Sequence, residues 1–121
     1  MNKTFATFGE DTATQLLSSK GYTIIERNYH SPYGEIDIIC SRGGELIFVE
    51  VKARRSHSFG EALEAVTENK RQKIIKTAYH YLAKKDIEMP VRFDIITLDY
   101  NKNSKDYSLR HITNAFLGED Y

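Results

Sequence analysis

The stretch Glu35-Ile36-Asp37-Ile38-Ile39-Cys40-Ser41-Arg42-Gly43-Gly44-Glu45-Leu46-Ile47-Phe48-Val49-Glu50-Val51-Lys52 decides the fold. Two β-rich runs, 35–40 and 45–53, flank Arg42-Gly43-Gly44, a tight hairpin signal. With Gly43 and Gly44 as the central turn residues, facing residues have numbers that sum to 87. Asp37 then stands opposite Glu50, and Glu35 opposite Lys52. Alternation along each strand sends all four side chains to one face. Directly opposed Cβ atoms lie about 5 Å apart, and like charges placed so destabilise a sheet. A positive group is therefore expected between the two acids. Lys52 offsets part of the repulsion; a hard divalent cation with oxygen ligands, Mg²⁺ (or Mn²⁺), does so more completely. The same alternation also describes a half-exposed sheet, with Glu35–Lys52 an ordinary ion pair and Asp37 and Glu50 solvated.

Upstream, Ala13, Leu16 and Leu17 recur at helical spacing between Thr7 and Lys20, and Gly21 is the expected stop. Glu10 shares a helix face with Ala13 and Leu17, so it points toward the core. A β-prone run covers Tyr22 to Asn28, followed by a turn at Ser31-Pro32-Tyr33-Gly34. Downstream of the hairpin, a polar loop covers Ser56 to Gly60. Thr67 is the expected N-cap of a helix reaching about Lys85, whose buried stripe is Ile74, Ile75, Ala78, Tyr79 and Leu82. Lys70, one turn before Ile74, lies on the stripe's side. An inward charge at a helix end calls for a partner: the carboxylate cluster for Lys70, the metal for Glu10. Pro90 prevents the helix from continuing. Strands are expected at Val91 to Asp99 and Tyr107 to Thr113, separated by Asn101-Lys102-Asn103-Ser104.

The element order is therefore α-β-β-β-α-β-β. A strand, a long helix and a second strand predict a right-handed crossover, with 91–99 parallel to 45–53. The fold class is α/β, a mixed β-sheet flanked by helices. At 121 residues the chain suits one domain, 1–121, and is too short for two independent cores.

Composition narrows the function classes. An apolar fraction of 40% and a charged fraction of 28% are those of an ordinary globular protein, without an apolar run able to span a bilayer. Met1 to Phe5 has no apolar core before Glu10 and Asp11, so no secretory signal is expected. A single cysteine, Cys40, makes no internal disulfide, in keeping with the cytoplasm. Seventeen basic and seventeen acidic residues cancel, so net charge supplies no argument for nucleic acid. Distribution supplies a weak one. Lys52, Arg54, Arg55, Lys70, Arg71, Lys73 and Lys76 outnumber Glu61, Glu64 and Glu68 between positions 52 and 76. Arg54, Arg55, Lys70, Lys73 and Lys76 are the candidates for phosphate contact. The four histidines, His30, His57, His80 and His111, lack metal-ligand spacing.

Gly9-Glu10 with Ala13, Gly21-Tyr22, Arg27-Asn28, Gly34-Glu35-Ile36-Asp37, Phe48-Val49-Glu50-Val51-Lys52, Arg54, Gly60, Ala65-Val66, Lys70 and Arg92-Phe93-Asp94 together resemble the YraN family of bacterial proteins, uncharacterised protein family 0102. The resemblance covers about residues 8–100. It implies a restriction-endonuclease-like core of the PD-(D/E)XK superfamily, similar to archaeal Holliday-junction resolvases. Carried over, it makes Asp37 and Glu50 the acidic metal ligands, Lys52 the catalytic lysine and Glu10 the acid on the first helix. Ile36 stands where the superfamily's name has proline. The expected activity is Mg²⁺-dependent phosphodiester hydrolysis in DNA, branched or damaged DNA among the candidates, by a monomer or homodimer. The alternative is a noncatalytic nucleic-acid-binding or adaptor protein that has kept the fold.

Overall fold

A computed structural model describes residues 4–55 and 65–118. The polar loop expected at 56–60 lies outside them. The elements are α1 (Phe5–Ser19), β1 (Thr23–Ser31), β2 (Gly34–Arg42), β3 (Glu45–Arg54), α2 (Glu68–Lys85), β4 (Val91–Asn101) and β5 (Asp106–Phe116). The strands lie side by side in chain order. β3 and β4 are parallel, and the other neighbours are antiparallel. This is the expected α/β architecture, a mixed sheet in the order α-β-β-β-α-β-β. None of the described helices is long and apolar enough to cross a membrane.

The helix ends follow from local chemistry. Thr4 and Thr67 cap α1 and α2, their hydroxyls accepting from the Thr7 and Lys70 amides. α1 ends in a left-handed turn at Gly21 (φ +89°). There the Tyr22 amide reaches back to the Leu17 carbonyl and the Gly21 amide to Ser18. α2 closes in the same way, with Asp86 instead of glycine in the left-handed position. The helix thus stops five residues before Pro90.

Two apolar layers sandwich the sheet. Ala13 and Leu17 of α1 pack on Ile38, Cys40, Ile47, Val49 and Ile96. Ile74, Ile75, Ala78 and Tyr81 of α2 pack on Ile39, Phe48, Phe93 and Ile95. Phe48 stacks on Phe93 with ring centroids 5.7 Å apart, and Phe93 on Phe116 at 5.1 Å. Burying each such side chain contributes about 1.5–3 kcal/mol. The stripe of α2 is rotated from the expected one. Tyr81 and Thr77 are buried, and Tyr79 is 45% exposed. Ile74, Ala78 and Tyr81 follow one helical face, whereas Tyr79 is a further 100° round from Ala78.

Gly43 and Gly44 form the hairpin turn, both with positive φ. The register is the expected one: Arg42 faces Glu45, Cys40 faces Ile47 and Ile38 faces Val49. Pairing stops there. The expected facing pairs Asp37–Glu50 and Glu35–Lys52 are not part of the ladder, because β2 leaves β3 just before them. Side-chain alternation breaks at the same place. Ile38 packs toward α1, yet Ile36, two residues away, packs with α2's layer. On β1, the neighbouring Asn28 adopts a positive φ of 53°.

Candidate active site

Asp37 stands where the two strands part. In a two-residue hairpin, pairs 42/45, 40/47 and 38/49 exchange backbone hydrogen bonds, and the next would be Ile36 with Val51. Instead the Val51 amide donates to Asp37 Oδ2 at 2.7 Å. The carboxylate replaces a backbone partner, which holds the gap between β2 and β3 open.

Two further carboxylates converge on Asp37. α1 approaches β3 so closely at Gly9 that a Cβ there would lie 3.0 Å from the Cβ of Ala53, and this seat carries Glu10 to the cluster. Burial, the charge of Asp37 and a hydrogen bond with it push Glu10 up to about 7, against the pull of Arg27. Glu50 comes from β3. It is 7% exposed, and burial, the Asp37 charge and a hydrogen bond with Asp37 push it up to about 9. The ammonium groups of Lys70 and Lys52 oppose that rise. Lys70 Nζ lies 3.8 Å from Glu50 Oε2, an ion-pair distance too long for a hydrogen bond. The expected turn of Lys70 toward the acids is present. Glu50 Oε1 is buried with no hydrogen-bond partner.

A cavity of about 310 Å³ opens over Glu10 and Asp37, with Asn28, Glu35 and Lys52 completing the charged and polar lining and Glu50 buried behind it. Lys52 therefore reaches the site from β3 although it does not face Glu35 across the ladder. Glu35 contacts His30 instead, at 3.2 Å.

The donor set suits a hard divalent cation. Every acidic atom is a carboxylate oxygen, magnesium takes few protein ligands and keeps several waters, and one buried oxygen lacks a partner. Among the described residues, no group of three or more acidic, histidine or cysteine side chains is placed to hold a metal ion. Burial and the charge of Asp37 make Glu10 and Glu50 hold their protons more tightly than free carboxyls do. In the absence of a cation, protons relieve the repulsion among the three acids.

The other expected site residues are dispersed. Arg54 makes a bidentate pair with Asp99 at 2.7 and 3.2 Å, which withdraws it from the free surface cations. Arg55 lies with its guanidinium 4.5 Å above the Phe5 ring. Lys73 and Lys76 are exposed on α2. Asp94 belongs to a separate structural network, fully buried. It accepts from Arg92 Nε and Nη2 at 2.8 Å and from the Asn114 amide at 2.9 Å. His111 Nε2 stands 2.8 Å from Oδ2. Lys20, which can only donate, contacts His111 Nδ1 at 2.7 Å, so Nε2 carries the proton directed at Asp94.

Sequence reasoning assigned no role to Arg27 or Asn28. Arg27 bonds Asp11 at 2.9 Å and moderates Glu10; Asn28 lines the cavity. Their place in the family pattern was the available signal.

The sequence model of the uncharacterised protein family UPF0102 matches residues 9–98. The chain belongs to this family. A UPF0102 protein of Syntrophomonas wolfei is 40% identical over 117 residues, covering 96% of this chain and all of that one. One from Clostridium perfringens is 40% identical, covering 95% of both chains. A UPF0102 protein of Persephonella marina is 45% identical over 109 residues, 89% of each chain. Among solved structures, Pyrococcus furiosus SfsA in complex with Ca²⁺ is similar at a TM-score of 0.40 and 16% identity, over 88% of this chain and 61% of that one.

Proposed function

We propose that this UPF0102 protein is a metal-dependent nuclease that hydrolyses phosphodiester bonds in DNA. The observation that carries the reading is the meeting of Glu10, Asp37 and Glu50, from three different elements, at a gap in the sheet that Lys52 also lines. Like charges are not gathered in a half-enclosed site for stability, since each raises the cost of ionising the others.

Asp37, Glu50 and Glu10 would hold Mg²⁺ or Mn²⁺. When bound, such a cation supplies Lewis-acid polarisation of a phosphoryl oxygen and makes water a stronger acid. Asp37 is held in place by the Val51 amide, and Lys70 balances the charge of Glu50 from the far side. Lys52, exposed within the cavity, orients the attacking water or stabilises negative charge developing on the phosphate. The exposed cations Arg55, Lys73 and Lys76 are suited to the sugar–phosphate backbone, which they would position without reading sequence.

The test is calorimetric titration of Mg²⁺ and Mn²⁺ into the protein and its Asp37→Asn/Glu50→Gln variant, beside cleavage of nicked, branched and single-stranded DNA. Binding lost in the variant, with cleavage reduced on the order of 10²–10³-fold by Lys52→Ala, is the expected result. Absence of metal binding with and without DNA would defeat the proposal.

A further inference from the structure

Beside the acid cluster lies a second cavity of about 330 Å³, lined by Phe5, Phe8, Arg55, Tyr100, Lys105 and Tyr107. Phe5 lines both cavities, so the two adjoin at that residue. The four rings come as two facing pairs. Phe5 and Phe8 lie about one turn apart on α1, and Tyr100 and Tyr107 are cross-strand partners on the β4–β5 hairpin. Phe5 meets Tyr100 at 6.3 Å and 73°, and Phe8 meets Tyr107 at 5.5 Å and 88°. Each edge-on contact covers a face of only one ring of its pair, where stacking would cover a face of both. Phe8 remains 37% exposed and Tyr107 49%, an arrangement that internal packing alone does not call for.

Among the described residues, the charged groups that line this second cavity are both cationic, Arg55 and Lys105, and the Arg55 guanidinium sits 4.5 Å from the centre of the Phe5 ring. A ligand that suits it has a flat aromatic portion and negative charge close by. The volume is at the small end of ligand cavities, roughly 300–1,000 Å³. An unpaired nucleotide meets these demands: its base can stack on Phe8 or Tyr107, and its phosphates can reach Arg55 and Lys105. A base within an intact duplex presents no free face to such a platform.

We infer that this aromatic cavity is a stacking platform for an unpaired base next to the scissile phosphate, which makes the preferred substrate single-stranded or locally unpaired DNA. The inference rests on the nuclease reading of the neighbouring acid cluster. Stacking on one ring is sequence-tolerant, because every base has a π-face, so the platform selects strand structure and not base identity.

The experiment is fluorescence anisotropy in EDTA with a fluorescein-labelled thymidine 12-mer and an abasic 12-mer of the same charge. The thymidine strand is expected to bind at least about tenfold more tightly than the abasic one. Phe8→Ala and Tyr107→Ala should each abolish most of that preference, and Tyr107→Trp should retain it. Arg55→Gln should weaken both strands and lower the salt slope by about 0.7. Phe8 and Tyr107 are exposed, and the Trp variant controls for folding. Equal binding of the two strands, or alanine variants that bind like the parent, would overturn the platform. Because EDTA removes the chemistry, this outcome is separate from the metal titration. Mg²⁺ binding without base preference overturns the platform alone. Base preference without Mg²⁺ binding overturns the hydrolytic site, and with it the placement of that base beside a scissile phosphate.

Discussion

Asp37 is an acceptor for the Val51 amide as well as a charge beside Glu10 and Glu50, and two substitutions separate these roles. Asp37→Asn keeps an oxygen for the amide and removes the repulsion, so the metal-free variant should be at least as stable as the parent. Asp37→Ala leaves the amide without its partner, and stability should fall by about 1–3 kcal/mol. Urea unfolding in EDTA reads both; equal losses would show that the hydrogen bond does not support the strand edge. At this scale the sequence was most informative about residue types and least about partners. The register placed Asp37 near Glu50 correctly but not the end of the ladder between them, because only the folded chain shows a side chain displacing a backbone acceptor. Arg54 shows the same limit. Its charge was plain, but its engagement by Asp99 arises from parallel pairing across a crossover.

Helix α1 delivers Glu10 to the site only because Gly9 lets it sit against β3. Gly9→Ala sets two preferences in opposition. Alanine favours the helix by about 1 kcal/mol, but its methyl would meet the Ala53 Cβ at 3.0 Å, and overpacking costs typically about 1–3 kcal/mol. The helix must move outward by a few tenths of an ångström. Net stability should change by no more than about 2 kcal/mol, while metal affinity drops several-fold because Glu10 moves with the helix. Calorimetry and urea unfolding of the single variant, and of Gly9→Ala/Ala53→Gly, check this. The double variant should regain metal affinity, and a failure to do so would place the cause elsewhere. Element existence and order were legible because each segment repeats its apolar residues at one clear period. Less so was Asp86 in the left-handed closing turn of α2, a position where glycine is the usual signal. Asn28 on β1 hid in the same way, since asparagine is ordinary in either conformation.

Across the whole molecule, two groups of buried and half-buried acids act on stability in opposite directions of pH. Burial opposes ionisation of Asp94, but hydrogen bonds from His111, Arg92 and the Asn114 amide outweigh it and hold its carboxyl below the usual range. The unfolded chain therefore binds more protons, and this contribution, present above about pH 4, is lost as pH falls through the folded value. Glu10 and Glu50 are raised from 4.5 to about 7 and about 9. Here the folded chain binds more protons, so their contribution is full below about 4.5 and lost as pH rises through those values. The metal-free melting temperature should thus decline from about pH 5 to pH 9, and saturating Mg²⁺ should raise it more at pH 8 than at pH 5. A flat profile in scanning calorimetry would contradict the placement of the acids. This coupling could not be read from a net charge of zero, which treats buried and exposed acids alike. The parting of β2 from β3 has one more consequence, best described as local frustration. The two strands already share a register, and continuing it past Ile38 and Val49 would make a more regular sheet. A chain with an apolar residue in place of Asp37 would be free to zip further, so selection for folding alone would close the cavity that Glu10 and Asp37 line.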